Sequence, residues 1–266
     1  MSNLDIAISI AKEVGQYIKS HVEGSYKIEE KSSMFDLVTD IDRKAEELIR
    51  RKIKEFNPTH KIIGEEGIGK GDKLSILDDH HGYVWIVDPI DGTLNFIHRL
   101  HGFTVSIALM YRKEIILGVV YDPCLDEIFW AEKGKGSYRN NNRLTVSEIG
   151  DISKGMLSTG FPSDIHGARA KVMEGISRFS PICSNIRSYG SAVLHLAYVA
   201  SGRLEGFWEY GLNVWDIAAG YLLVVEAGGD LSNISGEAYT LDTRNILASN
   251  GTLHSTIVQV LNQEKG

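Results

Sequence analysis

WIVDPIDGTLNF, residues 85–96, is the stretch on which the fold turns. Its apolar run, begun at Val84, reads as a buried strand. The run stops at Asp88, Pro89, Ile90 and Asp91, and Gly92-Thr93 follows. Two carboxylates fixed close together repel, and one tends to stay protonated unless a cation intervenes. Pro89 stiffens the turn and removes a backbone donor, which leaves carbonyl and carboxylate oxygens. Hard cations such as Mg2+ take oxygen ligands in octahedral geometry and keep several waters. Gly92-Thr93, ahead of the helix-capable Leu94-Asn95-Phe96, would present N–H groups at a helix start, which is an anion site. Cation ligands beside an anion cradle suggest a phosphate held against metal. Spacing alone leaves open whether the distant Glu65 or Asp216 reaches the same place.

Working outward, apolar residues at Leu4, Ile6, Ala7, Ile10, Ala11, Val14, Tyr17 and Ile18 predict a helix over 4–22, ended by Gly24. A second is expected over 40–56, capped by Thr39 or Asp40 and stopped by Asn57-Pro58. The polar stretch 31–36 reads as a loop, 61–64 as a strand, and the glycine-rich 67–82 as a flexible connection. Strands follow at 83–88, 104–111, 114–121 and 127–131, with a hairpin turn at Arg112-Lys113 and another turn at Asn140-Asn141-Asn142. This half is α+β. The second half alternates, with strands at 156–159, 186–189, 204–208 and 246–249 and helices at 168–179, 191–200, 214–226 and 253–261. That pattern predicts an α/β layer. A boundary near 140–153 divides an N-terminal domain, 1–145, from a C-terminal domain, 146–266.

The 266 residues carry a net charge of −7, with 43% hydrophobic and 24% charged residues. A globular chain is expected, with no nucleic-acid partner, since that needs a basic stripe. Arg50-Arg51-Lys52 and Lys54 alternate with Glu46, Glu47 and Glu55, which reads as a solvated helix face. Cys124 and Cys183 lie in no metal or redox spacing, so a reducing compartment is expected. No signal-peptide layout and no membrane-length apolar run is present, so the expectation is a cytoplasmic protein without a membrane partner. His98 with His101, and the pair His80-His81, lack a third nitrogen or thiolate ligand nearby and read as polar surface. Tyr121, Phe129 and Trp130 read as core or interface aromatics, and the run 222–225 as core.

The remaining candidates are acids at element ends. Asp42 and Asp216 each sit in a first helical turn, where a carboxylate complements the dipole without further purpose. Glu65-Glu66 closes a strand and could be an exposed loop.

With Gly64-Glu65-Glu66, residues 85–96 and residues 215–220 running on to Glu226-Ala227-Gly228-Gly229, the chain resembles the inositol monophosphatase family of Mg2+-dependent, lithium-sensitive phosphatases. Supporting stretches are Asp36-Leu37-Val38-Thr39 with Asp42, Gly118-Val119-Val120-Tyr121 and Lys133-Gly134-Lys135-Gly136. The resemblance implies an α+β fold layered α-β-α-β-α, and two or three Mg2+ ions with Mn2+ as substitute. Glu65, Asp88 and the Ile90 carbonyl would hold one ion, Asp88, Asp91 and Asp216 a second, and a weaker third would lie near Glu65. Asp42 with Thr93 would polarise the attacking water, so Glu65, Asp42 and Thr93 are the expected catalytic residues. Asp91, Gly92, Thr93, Gly190, Ser191, Ala192, Glu209 and Asp216 would face the substrate, and Lys31 with Asp36 would belong to a mobile loop. Ser191 stands where many relatives carry threonine. The expected activity is hydrolysis of a small phosphorylated polyol, inositol 1-phosphate first, in a homodimer. Fructose 1,6-bisphosphate, the 2′-phosphate of NADP, and 3′-phosphoadenosine 5′-phosphate are the other substrates of this scaffold. Specialists for the last carry lysine-glycine after the threonine, where this chain has Leu94-Asn95. A metal-binding relative without turnover is the competing class.

Overall fold

A computed structural model describes residues 1–31, 33–67, 74–79, 81–164 and 167–263. Helix α1 (Asn3–His21), strands β1 (Ile28–Glu30) and β2 (Leu37–Thr39), α2 (Asp40–Phe56), β3 (Lys61–Gly64) and a short α3 (Ile76–Asp79) open the chain. Then come β4 (Tyr83–Asp91), α4 (Thr93–Ile97), β5 (Thr104–Tyr111), β6 (Glu114–Asp122), β7 (Glu127–Glu132), β8 (Gly136–Arg139) and β9 (Asn142–Arg143). The second half holds β10 (Met156–Thr159), α5 (Ala168–Phe179), β11 (Asn185–Arg187), α6 (Ala192–Ala200), β12 (Gly206–Glu209), α7 (Val214–Glu226), β13 (Asp230–Asn233), β14 (Ile246–Ser249) and α8 (His254–Leu261).

Strands β3 to β9 form one sheet in sequence order, antiparallel throughout except for the parallel β3–β4 pair. The second sheet runs β11-β10-β12-β14-β13. Its first three strands are parallel, and β14 lies antiparallel to both β12 and β13.

Side-chain alternation along β4 sets the layers. Trp85 and Val87, with Ile107 and Val119, face Ile10, Val14 and Ile49 of α1 and α2. Val84 and Ile86, with Met110 and Val120, face α6 and α7 on the other side. The same core continues through those helices to Phe207, Ile246 and Ala248 of the second sheet. Every residue of α6 is buried, as a helix between two sheets requires. Leu157, Trp208 and Leu247 on the far face of that sheet pack against Val172, Phe179 and Ile257 of α5 and α8. The architecture is therefore the expected α-β-α-β-α sandwich. Helix α7 lies close on β6 because position 118 is glycine: a Cβ there would stand 2.6 Å from the Ala219 carbonyl oxygen.

Several elements differ from the expectation. Strand β4 runs on from Asp88 to Asp91 through an irregularity in its pairing with β5. The loop 31–36 joins a short hairpin, whose strand β1 is exposed throughout and has no apolar alternation to betray it. Strands β8 and β13 likewise carry a single apolar residue each and show no period, and antiparallel β14 makes the second sheet mixed. The Arg112-Lys113 turn stands as expected, both residues at positive φ. The connection expected over 67–82 falls largely outside the described residues, as does His80, while the described part includes α3. The solvated-face reading of α2 needs correction at Glu46, which is 3% exposed and points inward with Asp42, Ala45 and Ile49. Trp130 is only half-buried, stacked on Tyr138 at 4.3 Å, and Val225 is exposed.

Candidate active site

The site begins where β4 ends. Asp88 is buried and accepts the Ile90 N–H on Oδ1 at 3.0 Å. Asp91 Oδ2 accepts the Ser191 hydroxyl and the Val193 N–H, both at 2.7 Å. Ser191 caps α6 in turn: its oxygen accepts the Leu194 N–H and lies 3.1 Å from the Thr104 hydroxyl. The chain reverses at Gly92 with φ 97°, and a Cβ there would stand 2.7 Å from the Gly102 carbonyl oxygen. Asn95 secures the reversal by donating to the carbonyls of Gly102 and Tyr189. Helix α4 is five residues long, so its dipole is small and an anion placed here would meet mainly loop N–H groups.

Helix α2 brings the next group. Thr39 and Asp42 form its capping box: the Thr39 N–H and hydroxyl donate to Asp42 Oδ2. Asp42 Oδ1 is left for the Thr93 hydroxyl, 3.0 Å away, and the Ile90 carbonyl lies at the same distance from that hydroxyl. At the end of β3, Lys31 Nζ bridges Glu65, at 2.7 Å, and Glu66. Glu46 supports this corner, accepting the Glu66 N–H at 2.7 Å and pairing with Arg50. The loop 31–36 reaches the opposite wall as well, where the Arg169 guanidinium of α5 lies 4.8 Å from the centre of the Phe35 ring.

Helix α7 contributes Asp216 from a second capping box, its Oδ2 accepting the Asn213 N–H at 2.7 Å. Arg244 braces Asn213, donating to its Oδ1 at 3.0 Å. Asp216 and Glu209 line a cleft of about 610 Å3 that opens between α5 and the loops before α7 and β14.

The acids sense one another. Burial, then the charges of Glu65, Asp91 and Asp216, raise Asp88 well above the carboxylate range. Asp216 is raised likewise by burial, Asp91 and Glu65, and Glu209 by burial, Asp91 and Asp216. Asp91 is pushed up to about 6 by burial against its three hydrogen bonds, and Asp42 to about 6 by burial against those from Thr39. Burial alone would lower the Lys31 ammonium, but Glu65 and Glu66 hold it above the ordinary lysine value.

Glu65, Asp88, Asp91 and Asp216 therefore lie within electrostatic reach of one another, with Thr93 and Asp42 in direct contact beside them. Gly190 lies beside Gly92, and Ser191 and Ala192 begin α6 beside Asp91. Ser191 itself is fully buried and committed to protein partners. Among the described residues no three Asp, Glu, His or Cys side chains are drawn together tightly enough to hold a metal ion; Lys31 takes Glu65 and Glu66, and α6 takes one oxygen of Asp91. Sequence reasoning gave no role to Glu46 or Asn95. Glu46 could have been found, because it falls on the buried stripe of α2 at helical spacing from Asp42 and Ile49.

The inositol monophosphatase family profile matches residues 2–265. The fructose-1,6-bisphosphatase/inositol-1-monophosphatase of Thermotoga maritima is 39% identical over 264 residues, covering 99% of this chain and 97% of that one. The inositol-1-monophosphatase of Bacillus subtilis is 38% identical over 259 residues, covering 96% and 94%. An IMPase structure from Thermotoga maritima superposes with a TM-score of 0.89 at 37% identity, covering 98% and 97% of the two chains. Fold and site thus define a phosphoric monoester hydrolase built as an α-β-α-β-α sandwich. The chain belongs to the inositol monophosphatase family. No helix among the described residues is long and apolar enough to cross a membrane.

Proposed function

We propose that this chain hydrolyses the phosphate monoester of a small polyol, with inositol 1-phosphate the leading substrate, by attack of a metal-activated water. The observation that carries this reading is that Asp88 and Asp91 of β4, Asp216 of α7 and Glu65 of the turn after β3 come within electrostatic reach of one another, the charges of Glu65, Asp91 and Asp216 adding to burial in raising the Asp88 carboxyl. The donor set is all oxygen and suits Mg2+, or Mn2+ in its place. Glu65, Asp88 and the Ile90 carbonyl would hold one ion; Asp88, Asp91 and Asp216 a second; a third would bind weakly near Glu65. Such ions, when bound, supply a lowered water pKa and positive charge against the phosphate oxygens.

The chain's own groups do the rest. Asp42 accepts a hydrogen bond from the Thr93 hydroxyl, which turns the Thr93 oxygen lone pairs toward the attacking water as acceptors. N–H groups of Gly92 and Thr93 face the phosphate. Gly190, Ala192 and Glu209 face the alcohol, and Ser191 acts through Asp91, which it orients. The same reading carries a homodimer, lithium inhibition and a cytoplasmic setting, the first two checked by gel filtration and by Li+ titration of turnover.

Phosphate release from inositol 1-phosphate, fructose 1,6-bisphosphate, NADP and 3′-phosphoadenosine 5′-phosphate, with Mg2+ and with chelator, tests the proposal. Turnover is expected with Mg2+ only. Asp88→Asn should lower it by roughly a thousandfold while the melting transition survives, because several kcal/mol of charge stabilisation is lost. Mg2+ binding without release from any of the four would instead make the chain a non-catalytic metal-binding relative.

A further inference from the structure

Helix α6 reads AVLHLAYVA, and a fully buried imidazole, His195, interrupts its apolar run. The ring stacks on Phe207 of β12 at 4.5 Å. Its Nε2 accepts the Tyr189 N–H at 2.9 Å, so the proton of the neutral ring sits on Nδ1. That nitrogen is buried with no hydrogen-bond partner among the described residues. Burial holds the ring neutral, with a pKa lowered to about 3, so Nε2 stays an acceptor. A polar ring satisfied on one side only is a costly filling for a helix between two sheets, where leucine would pack without an orphaned donor.

The group that His195 holds accounts for its presence. Both backbone polar groups of Tyr189 are taken: the N–H by His195, and the carbonyl by Asn95 Nδ2 at 2.6 Å. The two peptide planes on either side of the Tyr189 Cα are thereby fixed, and with them the direction of the Gly190 backbone that follows. Gly190 has φ 81°, and a Cβ there would stand 2.7 Å from Asn95 Nδ2. Its carbonyl oxygen lies 3.2 Å from where a Cβ on Gly92 would stand, so this turn rests directly on the turn at the end of β4.

Resting on the phosphatase reading above, we propose that His195 is a positioning residue: with Asn95 as the opposing jaw, it clamps Tyr189 and so aims the Gly190 backbone at the alcohol portion of the substrate. His195 touches neither the substrate nor the acids at the end of β4; it acts through one backbone N–H. Orientation of this kind governs how well the alcohol is held, while the phosphate is held from Gly92 and Thr93. His195 is the jaw to test, because Asn95 also holds the Gly102 carbonyl behind the Gly92 turn, and its loss would disturb the phosphate side as well.

The experiment measures kcat and KM for inositol 1-phosphate and the inhibition constant of inorganic phosphate, in the wild type, His195→Leu and His195→Gln, with the melting temperature of each. Leucine fills the space without an acceptor; glutamine carries an amide oxygen at about the reach of Nε2. His195→Leu should raise KM for inositol 1-phosphate roughly tenfold, with kcat and phosphate inhibition within about twofold of the wild type. His195→Gln should recover most of that loss. A shift in melting temperature with KM untouched would make His195 a core filler and overturn the proposal. Equal increases in KM and in the phosphate inhibition constant overturn it as well, as does a glutamine variant no better than the leucine one. If the wild type releases no phosphate, the hydrolase reading fails, and calorimetric binding of the same two compounds decides the clamp. Selective weakening of inositol 1-phosphate in His195→Leu sustains it; equal change in both, change in neither, or no binding of inositol 1-phosphate to the wild type removes it.

Discussion

Asp42 and Asp216 each divide a carboxylate between a helix and the site. One oxygen of each closes a capping box, holding the Thr39 or the Asn213 N–H. In Asp42 the other oxygen takes the Thr93 hydroxyl. The capping role and the proposed chemical role therefore belong to the same side chain in Asp42. This separates two substitutions experimentally. Asp42→Asn keeps an acceptor for the cap but loses the base, so kcat should fall about a hundred- to ten-thousand-fold with the melting temperature nearly unchanged. Asp42→Ala should lose both, with roughly 1 kcal/mol less stability in a urea titration. Equal turnover in the wild type and Asp42→Asn would remove Asp42 from the reaction. Gly92→Ala forces a Cβ to 2.7 Å from a carbonyl oxygen at positive φ, and should cost turnover and about 1–3 kcal/mol of stability together.

At the level of elements, the start of α6 acts as a brace on the end of β4. Ser191 links the two, capping α6 and donating to Asp91. Ser191→Ala should lower stability by about 1 kcal/mol and also lower kcat/KM, whereas Ser191→Thr should preserve both. A fall in melting temperature with untouched kinetics would show the brace to be structural alone. Much of this was legible in the sequence. Strand β4 and helices α1, α2 and α7 announce themselves by apolar runs and period, and the aspartates by their place at element ends. Strands β1, β8 and β13 do not, because IEE, GSYR and DLSN hold one apolar residue apiece, too few to show a period. Nor could spacing show that α7 meets β4, since that contact depends on Gly118 letting the helix settle on the sheet. Glu46 was misread for another reason: its charged neighbours advertise solvent, while its helical phase points inward.

Across the whole molecule, the central helical layer is shared by both sheets, and His195 lies within it. Its ring stacks on Phe207 at 4.5 Å, and its Nε2 accepts the Tyr189 N–H at 2.9 Å. Burial lowers its pKa to about 3, from an ordinary 6.5. The unfolded chain thus binds a proton that the folded chain refuses between those values. The stability this residue contributes is complete above pH 6.5 and is lost progressively as pH falls toward 3, on the order of a few kcal/mol. Urea unfolding of the wild type and His195→Gln at pH 7.5 and 5.0 should show the stability gap between them shrink at the lower pH; a constant gap would contradict the assignment. The Phe35–Arg169 contact has a reach of the same scale. It ties the hairpin loop beside the β3 acids to a helix from the other half of the chain, like a hasp thrown over a gate. Freed of that fastening, as in Arg169→Ala, the hairpin tip should become a faster chymotrypsin target at Phe35 while the body of the protein resists digestion, and the doorway would then be set ajar by a single missing guanidinium.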